Sequence, residues 1–249
     1  MHSGKQKRGV AIVGEGISEE AKRRLFQEGF EPIVFPKYSR LPKPMENHID
    51  MLLFRLCDRV ISFGDYCDVA SYAFTDLCER LPQGTKMLFV DEVPGSEYPY
   101  DAILNMLQIG KRLYAKSDTA SKSILELAQN LGLDIRHTKQ GYPACTVLKL
   151  NGEAVITADR GLAKLLKEDG IRVTLIEDGG INLSPYPYGF IGGSAGVFER
   201  RVYFNGEIDL HPSAKEIREA IEREGMEIVC LSKDKLRDIG GILLMESRF

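Results

Sequence analysis

The sequence predicts an α/β ring of five ββαβ units, a pseudo-symmetric five-bladed propeller formed as one domain over residues 1–249. Three observations predict it. First, one order of elements recurs: short strand, turn, short strand, small polar residue, amphipathic helix, strand. Second, helix openings fall near Asp68, Asp118, Asp159 and His211, a period of roughly 50 residues, which is the signature of a repeat architecture. Third, each end of the chain holds part of a unit, and pairing the ends would complete a fifth copy and remove an exposed sheet edge. An open sheet built of unrelated βαβ pieces is the alternative, and it leaves the repeated order unexplained.

The clearest copy starts at Thr146, TVLKLNGEAVITADRGLAKLLKEDGIRVTLIEDGG. Asn151-Gly152 between apolar runs predicts a two-residue hairpin turn. Asp159 predicts a helix N-cap, Leu162, Leu165 and Leu166 the buried stripe, and Gly170 the stop. IRVTLI, rich in β-branched residues, follows as the third strand. A second copy runs from Gly196, with Pro212 at the start of its helix, Ile217 and Ile221 on its buried face and Gly225 as its stop. An earlier copy begins AILNMLQIGKRLYAK, its helix opened by Asp118 and closed by Gly132. A looser one begins MLLFRLCDRVISF. Gly9 to Phe35 supplies a strand, a helix from Ser18, a stop at Gly29 and a strand. The C-terminal IGGILLMESRF supplies the strand that this half-unit lacks.

Composition narrows the function classes. Lys plus Arg number 33 against 36 Asp plus Glu, a net charge of −3, so no basic excess invites a nucleic acid backbone. No apolar run approaches bilayer length, and the start MHSGKQKRGVAIVG lacks the apolar core of a signal peptide. The five cysteines show no metal-ligand spacing and are odd in number, which fits a reducing cytoplasm better than a disulfide framework. The expectation is a cytoplasmic protein that uses no metal or other cofactor and engages neither nucleic acid nor membrane.

The segments before the first strand of each unit read HID, YPYD, GYPAC, GFIGGSAG and DIGG. A ring of this kind resembles the pentein, or guanidine-modifying enzyme, superfamily, which includes arginine and agmatine deiminases, dimethylargininases and amidinotransferases, together with a non-catalytic ribosome anti-association factor. The architectural resemblance covers the whole chain, and the sequence resemblance is confined to short stretches. His48-Ile49-Asp50 looks like the superfamily's catalytic H-L-D motif. Gly141-Tyr142-Pro143-Ala144-Cys145-Thr146 is similar to its G-G-P-R-C-M-S nucleophile motif. The two stand 97 residues apart, two repeat units, as in the enzymes.

The resemblance implies a metal-free, cysteine-dependent reaction on a cationic guanidino or amidino compound. A guanidinium carbon is a poor electrophile, so attack requires a thiolate. Cys145 would form a covalent adduct, and His48 would protonate the leaving amine and then activate water. Asp50 would hold the guanidinium N–H groups, with Asp101 as a second channel carboxylate. Gly192, Gly193 and Ser194 would line the channel. Two departures favour a second reading, a non-catalytic binding protein or small-molecule sensor. Phe190-Ile191-Gly192-Gly193-Ser194 has serine where many of the enzymes carry an acid. Gly240-Gly241 is followed by Ile242-Leu243-Leu244, with leucine where the enzymes usually carry the nucleophile. Read alone, Cys145 would be a small core residue, like the other four cysteines, and His48 a polar group at a strand end.

Overall fold

A computed structural model describes residues 9–248. The basic start, where no signal peptide is expected, lies outside the described residues. Strands β1 (Gly9–Gly14) and β2 (Phe30–Phe35) are parallel and joined by the helix Glu19–Gln27. The helix forms where the sequence places it, because Ser18 accepts the N–H of Ala21 at 3.1 Å and so caps it. Four complete units follow. They contain β3 (Leu53–Leu56), β4 (Arg59–Phe63) and β5 (Lys86–Val90); β6 (Leu107–Ile109), β7 (Arg112–Ala115) and β8 (Asp134–His137); β9 (Val147–Lys149), β10 (Ala154–Thr157) and β11 (Arg172–Leu175); and β12 (Ala195–Phe198), β13 (Arg201–Phe204) and β14 (Glu227–Cys230). In each unit the first two strands are antiparallel and the last two parallel. The last strand, β15 (Leu243–Glu246), pairs antiparallel with β1, Val10 opposite Met245 and Ile12 opposite Leu243. The fifth unit is therefore split across the two ends of the chain, as predicted.

Local signals explain most helix boundaries. Asp159 Oδ1 accepts the N–H of Leu162 at 2.7 Å, and the helix Arg160–Glu168 buries Leu162, Ala163 and Leu166. Gly170 follows at φ +81°, a left-handed conformation that glycine adopts without steric cost. Asp159→Ala leaves that first-turn N–H without its acceptor, and a thermal melt should show a loss of about 1 kcal/mol. Four expectations need correction. The helix Lys122–Asn130 is capped by Ser121, which accepts from Ile124, while Asp118 binds Lys116 instead. Pro212 precedes the N-cap Ser213 of the helix Ala214–Arg223 rather than opening it. Asp68 lies within the short helix Gly64–Val69, ahead of the main helix Ser71–Arg80. Finally, Leu150–Glu153 joins β9 to β10, so the tip is longer than a two-residue turn. The side chain of Asn151 closes it by accepting the N–H groups of Glu153 and Ala154, both at 2.8 Å.

The apolar faces of the sheets pack against the helices, and the first strands face inward. A cavity of about 590 Å³ is lined by residues of β3, β6, β9, β12 and β15, one strand from every unit. This is the central channel. Contacts between neighbouring inner segments run around its closed end. Asn105 Nδ2 donates to the carbonyl of Asp50, and Asn105 Oδ1 accepts from the N–H of Ala144. Gly192 packs against the carbonyls of Ala144 and Cys145 so closely that a Cβ there would lie 2.4 Å from the first. Gly241 donates to Gly193, and Asp50 donates to Gly240. The circuit returns to its start and fixes all five inner segments relative to one another.

Candidate active site

The inner segments do not enter their strands directly. Ile49–Leu52 and Pro143–Thr146 each form one turn of α-helix, and Tyr100–Ala102 and Gly192–Ser194 form 3-10 turns. His48 is the extended residue before the first of these turns, and Asp50 lies inside it. Cys145 sits within the second, whose entry is set by Pro143 at its first position. The turns aim short side chains at the closed end of the channel, where an extended entry would alternate them between two faces.

His48, Asp50 and Cys145, predicted from two distant motifs, come together. Their donor atoms lie within 4.8 Å of one another. The Cys145 thiol donates to Asp50 Oδ2 at 2.5 Å, and Asn105 Nδ2 approaches the sulfur at 3.6 Å. Cys145 and His48 are buried. Asp50 keeps part of its surface open to the narrow channel but lies deep in the protein. That depth pushes its pKa up to about 6; the His48 charge opposes the shift and Asp238 adds to it. Burial, followed by the charges of Asp50 and Asp238, holds the Cys145 thiol well above its ordinary pKa. Without a ligand, the sulfur is therefore a thiol bonded to a carboxylate.

Asp238 completes the cluster, and sequence reasoning missed it. Its side chain is fully buried, with Oδ1 3.7 Å from Nδ1 of His48. The N–H of Phe190 holds Oδ2 at 2.9 Å, and the N–H of Gly240 holds Oδ1 at 3.0 Å. Gly193 makes room for it, since a Cβ there would lie 2.0 Å from Oδ1. A signal was present: Asp238 stands five residues before Leu243, the start of β15, just as His48 stands five before Leu53, the start of β3. Asn105, which ties Asp50 to Ala144, was likewise read only as part of an apolar run.

The other expected site residues take different parts. Asp101 is buried and accepts the hydroxyl proton of Tyr142 at 2.7 Å, so the second carboxylate at the cluster is Asp238 instead. Gly192 lines the channel cavity as expected, and Gly192 and Gly193 both allow close approach, the first to the Ala144 carbonyl and the second to Asp238. Ser194 is buried, and its hydroxyl donates to the carbonyl of Ile191 at 2.9 Å. Of the other cysteines, which the sequence places in or near apolar strands, Cys57 and Cys78 are exposed. Cys67 and Cys230 are half-buried.

His48, Cys145 and Asp238 form the floor of a cavity of about 330 Å³, separate from the channel cavity that Asp50 lines. Its walls are Tyr98, Tyr142, Tyr186, Tyr188 and Phe190, and no Lys or Arg lines it among the described residues. Nδ1 of His48, Oδ1 of Asp50 and Oδ1 of Asp101 are buried without a hydrogen-bond partner. The cluster thus brings together a nucleophile, a proton carrier and two carboxylates whose charge His48 alone faces, with no Lys or Arg lining the cavity among the described residues. The imidazole, carboxylate and thiol donors of His48, Asp50 and Cys145 are also close enough to share one divalent metal ion.

Solved structures with this architecture include DDAH from Pseudomonas aeruginosa complexed with citrulline, at a TM-score of 0.56 and 11% identity over 96% of this chain and 99% of that one. Agmatine deiminase from C. jejuni matches at 0.56 and 8% identity, over 91% of this chain and 88% of that one. An amidinotransferase of the saxitoxin biosynthetic pathway from Microseira wollei matches at 0.54 and 11% identity, over 91% and 89%. At such identities the likeness establishes the fold, the pentein ring of five units. No curated protein matches the chain by sequence. No helix among the described residues is long and apolar enough to cross a membrane. A family model spanning residues 12–243 matches the sequence itself, and with the five-unit ring it makes this chain a pentein-fold member of DUF6873, a family of unknown function.

Proposed function

We propose that the protein is a cysteine-dependent enzyme that acts on a guanidino or amidino cation through a covalent adduct on Cys145. One observation carries this reading: donor atoms of His48, Asp50 and Cys145 lie within 4.8 Å of one another at a buried site where Asp50 and Asp238 share a single imidazole and, among the described residues, no Lys or Arg lines the cavity. Buried carboxylates without a partner are costly, and a planar cation with several N–H donors would satisfy them. The empty-state thiol fits such a mechanism. A guanidinium seated against Asp50 would displace the S–H hydrogen bond and bring positive charge next to the sulfur, which lowers the thiol pKa only when substrate is present.

In this mechanism the thiol proton passes to His48 or Asp50 as the sulfur attacks the central carbon. The C–N bond to the leaving amine then breaks as His48 donates a proton, leaving an amidino group on Cys145. Water attacks the adduct with His48 as base, the C–S bond breaks, and the sulfur regains its proton. An amine acceptor in place of water would make the reaction an amidino transfer. Asp238 is a positioning residue, because it faces Nδ1 of His48 and favours one orientation of the ring.

A protein that binds the same cation without turnover is the second reading, and the protonated resting state of Cys145 favours it. Labelling with chloroacetamidine, a small cation that alkylates thiolates, separates the two. The enzyme reading expects fast, saturable alkylation at Cys145, mapped by mass spectrometry, that slows at least about tenfold in His48→Ala. Slow labelling that is unchanged by the substitution, or shared among the five cysteines, would favour the binding protein.

A further inference from the structure

The floor of the cavity is built for charge, but its walls are not. The Tyr142 hydroxyl already donates its hydrogen bond to Asp101, and its ring lies 5.2 Å from that of Tyr98. The Tyr98 hydroxyl accepts the N–H of Gly141, which holds that ring in place. Gly141 is needed there, because a Cβ would lie 2.6 Å from the Tyr98 ring. Tyr188 and Phe190 pack edge to face at 6.4 Å, and the Phe190 N–H is spent on Asp238. Tyr98, Tyr186 and Tyr188 are 51%, 44% and 37% exposed, so large apolar rings stand open at the mouth.

A substrate that carries a carboxylate, such as an α-amino acid with a guanidino side chain, needs a fixed cation or several free N–H donors at its far end. Among the described residues no Lys or Arg lines this cavity, and Asp238 on its floor adds like charge. An apolar group, by contrast, would gain contact area against five aromatic rings, of which Tyr98 with Tyr142 and Tyr188 with Phe190 already pack in pairs.

Building on the reading of the site as one for guanidino or amidino cations, we propose that its substrates carry an uncharged alkyl or aryl group on the side away from the reacting carbon, and that guanidino acids are excluded. The aromatic wall selects the tail, while the floor of His48, Cys145 and Asp238, with Asp50 bonded to the sulfur from the channel side, selects the head.

The test measures binding by calorimetry, with the full chain, for benzylguanidine, arginine and agmatine, and separately assays product release from each. Benzylguanidine should bind at least about tenfold more tightly than either of the others, the scale of one well-packed aromatic contact. Tyr188→Arg, a change at an exposed position, should narrow the gap to arginine to about threefold or less by supplying a partner for its carboxylate. Arginine or agmatine binding as tightly as benzylguanidine to the unmodified protein would overturn the proposal. So would a Tyr188→Arg variant whose preference is unchanged. The expected preference with no product from any compound would overturn the catalytic reading and leave this specificity standing. Turnover of arginine with a kcat/KM equal to or above that of benzylguanidine would do the reverse. No binding of any of the three would overturn both.

Discussion

Cys145→Ser is expected to abolish amidine labelling and to lower turnover of any guanidino substrate by at least about 10³-fold, while the protein folds and binds cations much as before. The size of the effect follows from the step that the sulfur performs. A serine hydroxyl at this position has the same hydrogen-bond acceptor, Asp50, but a far higher pKa and lower nucleophilicity toward a resonance-stabilised carbon. Because the substitution is nearly isosteric and the Asn105 contacts to Asp50 and Ala144 do not involve the sulfur, the inner circuit stays closed. Intact-mass spectrometry after chloroacetamidine treatment reads the first effect, and a thermal shift with an amidine reads retained binding. An adduct that persists in the variant would place the reactive thiol elsewhere. Exposed Cys57 and Cys78 would then be the first to examine.

Asp50→Asn is expected to stabilise the ligand-free protein and at the same time to ruin the site. The carboxyl titrates at about 6 in the folded protein, against 3.8 for an unperturbed Asp, because depth in the protein disfavours its ionised form. The folded pKa lies above the unfolded one, so the favourable contribution of the group is fully present below about 3.8. It is lost as pH rises through about 6. At pH 8 the ionised carboxylate costs at most about 3 kcal/mol, a figure that water in the channel reduces, and the asparagine variant escapes that cost. For a chain of this size each kcal/mol corresponds to about 2–4 °C in Tm. Melting should therefore favour the variant by several degrees at pH 8, and the difference should close near pH 4. Cation affinity should move the other way, falling about 100-fold in the variant as a charge-assisted pair becomes a neutral one. In the unmodified protein, affinity should rise as pH passes through about 6 from below. A variant that melts lower than the unmodified protein at pH 8 would mean that Asp50 serves the fold as a hydrogen-bond acceptor and is not a costly charge held for a ligand. The trade of stability against function is the one expected of a site built to be completed by its substrate.

The fold was legible because it rests on local chemistry repeated in sequence. Ser18 and Asp159 cap helices through their own backbone neighbours, and Gly170 ends one through its own φ. Such interactions need only the adjacent residues, so composition and spacing reveal them. The split fifth unit was legible for a related reason: two incomplete copies at the ends of the chain can be completed only by each other. Where two local signals competed, position alone was insufficient. Asp118 and Ser121 can each cap a helix, and the nearby Lys116 draws Asp118 away.

The site was legible only as far as its motifs ran. His48, Asp50 and Cys145 could be named from short stretches, because those stretches resemble the superfamily's histidine and cysteine motifs. Their approach to within 4.8 Å depends on ring closure across 97 residues, which only the tertiary structure supplies. Asp238 stood in the DIGG segment with no role assigned until β15 paired with β1 and brought it opposite His48. Asp101 looked equivalent to Asp50 until its rotation within a 3-10 turn placed it under Tyr142. The sequence by itself determined the repeating unit, the number of units and the chemical types at the centre, since each depends on neighbours a few residues apart. Which carboxylate faces the histidine, how far burial holds the thiol protonated, and that aromatic rings rather than cations wall the cavity were decided only by the closed ring. Those properties arise from groups remote in sequence that share one low-dielectric space.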